Sequence, residues 1–201
     1  QLKRVRDDMA IFKTMAQEMF DYIRESHESQ EPICMVVPVG PVGQYPYLAD
    51  LCNANDVSCR HVVFINMDEY CDINGQWIDR DDPISFRGFM EREFWSRLNP
   101  NNRPLSENCL FPDPNDTGAI QRKIEKLGGI DVVFGGIGMN GHVAFNEPEP
   151  NLTIEQYYRL GTRVMDLALE TKIMNASSCA GGNVDGMPPK CVTIGFKEIF
   201  S

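Results

Sequence analysis

The clearest chemistry in the sequence lies between Gly135 and Glu147. Gly135, Gly136, Gly138 and Gly141 fall within seven positions, and His142 follows directly. Glycines at that density let a backbone approach a ligand closely and expose amide donors. Histidine is the side chain whose ordinary pKa suits proton transfer near neutrality. Glu147, five residues on, is in reach to orient the imidazole or tune its charge. The G-G-x-G-x-x-G spacing is not a dinucleotide fingerprint, and no helix-start signal follows it. A lone histidine is usually a satisfied core or surface residue. Here the glycine loop and the nearby carboxylate reverse that expectation.

Two further places draw attention. Asn66-Met67-Asp68-Glu69-Tyr70 sets two adjacent carboxylates at the end of an apolar run. Such a pair is costly to bury unless solvated, paired or functional, and helix capping or a solvated loop is the plain alternative. Pro38-Val39-Gly40-Pro41-Val42-Gly43 leads into a helical pattern and could hold an anion on amides and a helix dipole. Pro41 supplies no N–H, so a plain turn competes with that reading.

The elements that must position these residues alternate between apolar strands and amphipathic helices. Val5, Met9, Phe12, Ala16, Met19, Phe20 and Ile23 recur at helical spacing, which predicts a helix over 3–27. Residues 33–38, 61–66, 130–137 and 191–195 read as four buried strands, and 45–53, 85–98 and 117–127 as helices. Ser85 caps the second of these helices, and Gly128-Gly129 stops the third. Residues 72–83, 99–116 and 179–189 read as loops, 153–160 as a short helix, and 162–169 fits either state. The alternation predicts an α/β fold: a three-layer α/β/α sandwich around a mostly parallel, doubly wound, Rossmann-like sheet. In such sheets ligands bind beyond the carboxyl ends of the strands, where all three chemical stretches fall.

The 201 residues are 42% apolar and 24% charged, which suits one domain over residues 1–201. A net charge of −10 argues against nucleic acid and anionic membrane surfaces as partners, while a small anionic ligand stays open. No run of about 18 apolar residues occurs, and Gln1–Asp8 lacks the apolar stretch of a secretory signal. A cytoplasmic location is expected. The seven cysteines include no CxxC pair, so they read as reduced core residues rather than as disulfides or a zinc site. The Asn115, Asn151 and Asn175 N-x-S/T triplets read as chance matches. The chain stops six residues past the last strand, Phe196 to Ser201, and is expected to lack a covering C-terminal strand or helix.

Asn66-Met67-Asp68-Glu69-Tyr70, the Ser85-Phe86-x-x-Phe89-Met90 helix and Gly135-Gly136-Ile137-Gly138-x-x-Gly141-His142-Val143-Ala144-Phe145-Asn146-Glu147-Pro148 together resemble glucosamine-6-phosphate deaminase. The resemblance runs from about residue 5 to 196 and is strong between 61 and 148. The sister 6-phosphogluconolactonase family typically carries D-E-R and G-H-x-A-S-L-F-P strings, which are absent here.

The resemblance implies conversion of an amino sugar phosphate to fructose 6-phosphate and ammonia, without metal or cofactor. It implies that His142 assists ring opening, Asp68 moves a proton from C2 to C1, and Glu147 with Asn140 holds His142. The chemistry agrees with the residue types: an enediol route needs a carboxylate beside the carbon acid and a separate acid/base at the ring oxygen. Gly40, Gly43, Glu69, Gly136, Gly138, Gly141, Arg163 and Lys172 become candidate substrate-binding residues, 149–190 a lid segment, and a homo-oligomer the expected assembly.

The chain departs from the family pattern at several points. Asn140 stands where the family has Asp, and Asn cannot give the histidine a negative charge. Val39-Gly40-Pro41-Val42-Gly43 replaces Thr-Gly-Gly-Thr-Pro, Met165 replaces a lysine and Ser177 an arginine. Lys172 lies near enough in sequence to compensate. A lactonase-like hydrolase and a catalytically weak sugar-phosphate-binding regulator are the alternatives, the second favoured by Asn140 and the altered first loop.

Overall fold

A computed structural model describes residues 3–201. Gln1 and Leu2, part of the charged N-terminal stretch read above, lie outside the described residues. Helix α1 (Asp8–Ser29) starts where Asp7 caps it by accepting from Ala10 N at 2.9 Å. Residues 3–6, expected in the helix, precede that cap. Strand β1 (Ile33–Val37) follows, then α2 (Gln44–Ala54), β2 (Val62–Asn66) and β3 (Asp68–Cys71). Helix α3 (Phe86–Glu93) begins at Ser85, whose hydroxyl accepts from Gly88 N at 3.1 Å. It ends in a 3-10 turn, Trp95–Arg97, rather than running to Leu98. Strand β4 (Cys109–Leu110), α4 (Ala119–Leu127), β5 (Val132–Val133) and α5 (Ile154–Tyr158) come next. Strand β6 (Arg163–Asp166), α6 (Leu169–Cys179), β7 (Lys190–Thr193) and α7 (Phe196–Ile199) complete the order.

Four strands form a parallel sheet in the order β4-β2-β1-β5. Strands β1 and β2 are covered on both sides, which is why they read as unbroken apolar runs. Met35, Val37, Val62 and Phe64 face α1, α2 and α3. Cys34, Val36, Val63 and Ile65 face Ile120 and Ile124 of α4, with Ile199 of α7 alongside. Each such side chain, fully buried, contributes about 1.5–3 kcal/mol. The chain leaves β1 toward β2 and β4, then returns to place β5 on the other side of β1. The ends of β1 and β5 therefore form the topological switch point, where doubly wound folds open a crevice.

Two strand expectations need correction. Residues 130–137 are not a buried strand: only Val132 and Val133 pair, at the sheet edge, and Ile137 is 82% exposed. An edge strand has no neighbour on its outer side to bury it. Residues 191–195 do not extend the parallel sheet. They fall in and after β7, the centre of a separate antiparallel sheet, β3-β7-β6. Met67 is the crossing point: its N–H donates to Val37 O at 3.2 Å, and its carbonyl accepts from Ile194 N at 2.8 Å. One step later Asp68 pairs with Thr193 in the second sheet. The seven cysteines are free thiols, and Cys34, Cys52, Cys59, Cys71 and Cys191 are buried.

Candidate active site

A cavity of about 300 Å³ lies over the switch point, within the size range of small-ligand sites. Its floor is the turn after β1, Pro38 to Pro41. One wall is the glycine run after β5, Gly136 to Gly138, with His142, Ala144 and Phe145 beyond it. Met67 and Asp68 form the wall where the chain changes sheets, and Phe86 and Asn175 close the side formed by α3 and α6. A Cβ on Gly136 would stand 3.3 Å from Gly40 O, so glycine there keeps floor and wall in contact.

The loop that carries His142 is folded on itself. Gly138 N donates to His142 O at 2.8 Å, and Gly141 N to Gly138 O at 2.9 Å. Gly141 has φ +90, a conformation that other residues rarely adopt. A Cβ on Gly138 would overlap the imidazole. Buried Asn146 then anchors the loop, donating to Val143 O at 3.0 Å and to Ile194 O at 2.8 Å. Tyr157 OH lies 2.8 Å from the carbonyls of both Asn146 and Glu147.

His142 is held by a relay of side chains. Its Nδ1 is 2.7 Å from Asn140 Oδ1, and Asn140 Nδ2 donates to Glu147 Oε2 at 2.5 Å. A carboxylate only accepts, so the Asn140 NH2 must face Glu147 and its carbonyl must face the ring. That order places the imidazole proton on Nδ1 and leaves Nε2 with its lone pair free. Thr171 OH, from α6, donates to Glu147 Oε1. Glu147 Oε2 is also 3.5 Å from His142 Nδ1, close enough to stabilise an imidazolium.

Asp68 faces the same cavity and is 7% exposed. Its carboxylate has no hydrogen-bond partner among the described residues. Burial, and to a lesser extent the charge of Glu69, raises its pKa to about 8. Asp68 and His142 thus line one cavity, and a buried carboxyl whose pKa is raised is the kind of group that can take up and release a proton there.

The other expected residues divide. Gly40, Gly136 and Gly138 line the cavity, and Gly141 shapes the turn behind it. Four others lie outside the cavity lining. Glu69 is fully buried: it accepts from Ser85 OH, from the N–H groups of Tyr70, Phe86 and Arg87, and from Arg87 Nε at 3.1 Å. It is the anion seated at the N-terminus of α3. Gly43 is packed against the Phe12 ring at the start of α2, away from the cavity. Arg163 donates to Asn146 Oδ1 at 2.8 Å and so braces the loop from behind. Lys172 lies outside the cavity lining, on the side of Asp166, whose pKa is lowered mainly by Lys190 and slightly by Lys172. Sequence reasoning missed Thr171 and Asn175. Their i, i+4 spacing on α6 is the signal that an assigned helix would have given.

No cluster of three potential metal ligands occurs among the described residues. Nor is any helix there long and apolar enough to cross a membrane.

Fold and cavity define the class: a doubly wound α/β protein whose switch-point cavity is lined by a buried carboxyl and a histidine. No family model matches the chain. Curated relatives do. The glucosamine-6-phosphate deaminase of Borreliella afzelii is 32% identical over 195 residues, covering 94% of this chain and 68% of the relative. That of Porphyromonas gingivalis is 34% identical over 176 residues, covering 85% and 62%. That of Caenorhabditis elegans is 32% identical over 181 residues, covering 88% and 63%. The chain belongs to the glucosamine-6-phosphate deaminase family, and spans 62–68% of the length of these members. Among solved structures, a monomeric glucosamine-6-phosphate deaminase shares the fold at TM-score 0.78, 24% identity and coverage of 97% of this chain and 76% of that one. The 6-phosphogluconolactonase of Thermotoga maritima shares it at TM-score 0.59 and 18% identity, covering 96% and 76%.

Proposed function

We propose that the protein is a deaminating aldose–ketose isomerase that takes glucosamine 6-phosphate and water to fructose 6-phosphate and ammonia. The observation that carries this is the shared cavity of two groups in complementary states: His142 with a free Nε2, and Asp68 unpaired. The names of the relatives supply the substrate.

In this reading His142 Nε2 takes the proton of the C1 hydroxyl and returns one to the ring oxygen, which opens the sugar. The imidazolium formed in between faces Glu147 across 3.5 Å. Ionised Asp68 then takes the proton from C2 while O1 takes one from the substrate's ammonium group, giving an enol-amine, and Asp68 delivers its proton to C1. The resulting imine at C2 adds water and expels ammonia. One carboxylate serves both carbons because they are adjacent. Enclosure by Met67, Phe86 and Phe145 keeps bulk water from that proton. For the anionic end of the substrate, the N–H groups of Gly40, Gly136 and Ile137 have no partner among the described residues.

A second reading, a sugar-phosphate-binding protein of weak turnover, has one observation in its favour. No lysine or arginine lines the cavity among the described residues. Ammonia release from glucosamine 6-phosphate separates the two. Turnover by the native chain that disappears in His142→Ala supports the enzyme. Saturable binding by calorimetry without ammonia release supports the second reading.

A further inference from the structure

We infer that Asn175 is a substrate-recognition residue, holding a hydroxyl of the sugar through its side-chain carbonyl. The inference deepens the proposed function and rests on it for the identity of the sugar.

Asn175 comes from α6 and is part of the cavity wall. Its Nδ2 donates to the Tyr70 hydroxyl at 2.7 Å. Tyr70 is 1% exposed and packs against both Phe86 and Phe145, with ring centroids 4.8 and 5.5 Å away, so it is a rigid anchor. With Nδ2 spent on that anchor, Oδ1 has no partner among the described residues. A tethered amide of this kind presents a fixed acceptor. The geometry selects a donor: an O–H of a polyol, which a sugar has on successive carbons. Asn175 lies one turn beyond Thr171, the residue that holds Glu147. One face of α6 thus braces the His142 relay and meets the ligand. Tyr70 follows Asp68 by two residues on β3, so the acceptor is tied to the strand that carries the proposed base.

The test is steady-state ammonia release from glucosamine 6-phosphate by the native chain, Asn175→Ala, Tyr70→Phe and the double variant, with melting temperature measured on each. Loss of one substrate hydrogen bond raises KM about fivefold to tenfold. Asn175→Ala is expected to do so with little change in kcat or in the pH profile. Tyr70→Phe frees the amide and raises KM by less. The double variant matches Asn175→Ala, because Tyr70 acts through Asn175. An unchanged KM in a folded Asn175→Ala overturns the inference and leaves the proposed reaction standing. So does a fall in kcat at constant KM that tracks a lowered melting temperature. If the native chain releases no ammonia, calorimetry with the same sugar phosphate decides. A native affinity weakened in Asn175→Ala supports the inference while the reaction fails, and no native binding overturns both.

Discussion

Asn140 Oδ1 lies 2.7 Å from Nδ1 of His142, and this contact fixes which ring nitrogen carries the proton. The amide can do this because its other end is committed to Glu147. Asn140→Ala removes the constraint and leaves the imidazole free to turn and to change tautomer. Kinetics on that variant are expected to show kcat lower by about 10²-fold, within the usual range for general acid–base groups. Asn140→Asp is expected not to raise the rate. A second carboxylate would face Glu147 at the present 2.5 Å spacing, and like charges there hold one group protonated. A faster Asn140→Asp enzyme would show that the relay is not what orders His142.

Asp68 carries a pH prediction with a definite sign. Its carboxyl is raised from 3.8 to about 8, and it must be ionised to take a proton from carbon. The kcat/KM profile should therefore rise with pH until about 8. Stability runs the other way. The folded state binds this proton more tightly than the unfolded one, so the stabilisation is complete below about 4 and is lost as pH rises through about 8. Asp68→Asn should abolish most turnover and, in denaturant titrations, gain on the native chain at pH 9 relative to pH 5.

Glu69, next in sequence, should behave oppositely. Its removal leaves Arg87, at 13% side-chain exposure, and three backbone donors without their anion. Breaking a buried pair of this kind costs about 3–5 kcal/mol. Chemical denaturation of Glu69→Ala should show that loss. The milder Glu69→Gln should keep a KM close to native.

Gly138→Ala tests the close approach of loop and ring. The added methyl overlaps the imidazole, so His142 must move. The expected result is a large fall in kcat with a melting temperature near native, because the loop is partly exposed and can shift.

The contrast between Asp68 and Glu69 shows what the sequence could and could not convey. Two adjacent carboxylates look equivalent in a linear reading. Strand alternation sends them to opposite sides, one into the cavity and one onto α3, and that is visible only once β3 is known to be a strand. β3 was illegible because its partner, β7, is remote in sequence and its own residues are half polar. β1 and β2 were legible because burial on both faces leaves continuous Val, Ile, Met and Phe. Local signals also placed Ser85 at the start of α3, and Gly128, with φ 89, at the end of α4. α6 failed the same reading: Thr171, Asn175, Ser177 and Ser178 are poor helix formers, and packing of Ala176 and Thr171 overrides them. With α6 went Thr171 and Asn175. Arg163 and Lys172 were placed by sequence pattern alone, which carries no side-chain direction.

The pivotal proposed step is the movement of the C2 proton by Asp68 in a sugar that His142 has opened. It is tested most directly with glucosamine 6-phosphate carrying deuterium at C2, followed by NMR of the fructose 6-phosphate formed. Deuterium is expected to leave C2 and appear in part at C1 with the native chain, with no measurable transfer in Asp68→Asn. Transfer at the native rate in Asp68→Asn, or product formed with C2 deuterium never mobilised, would contradict it.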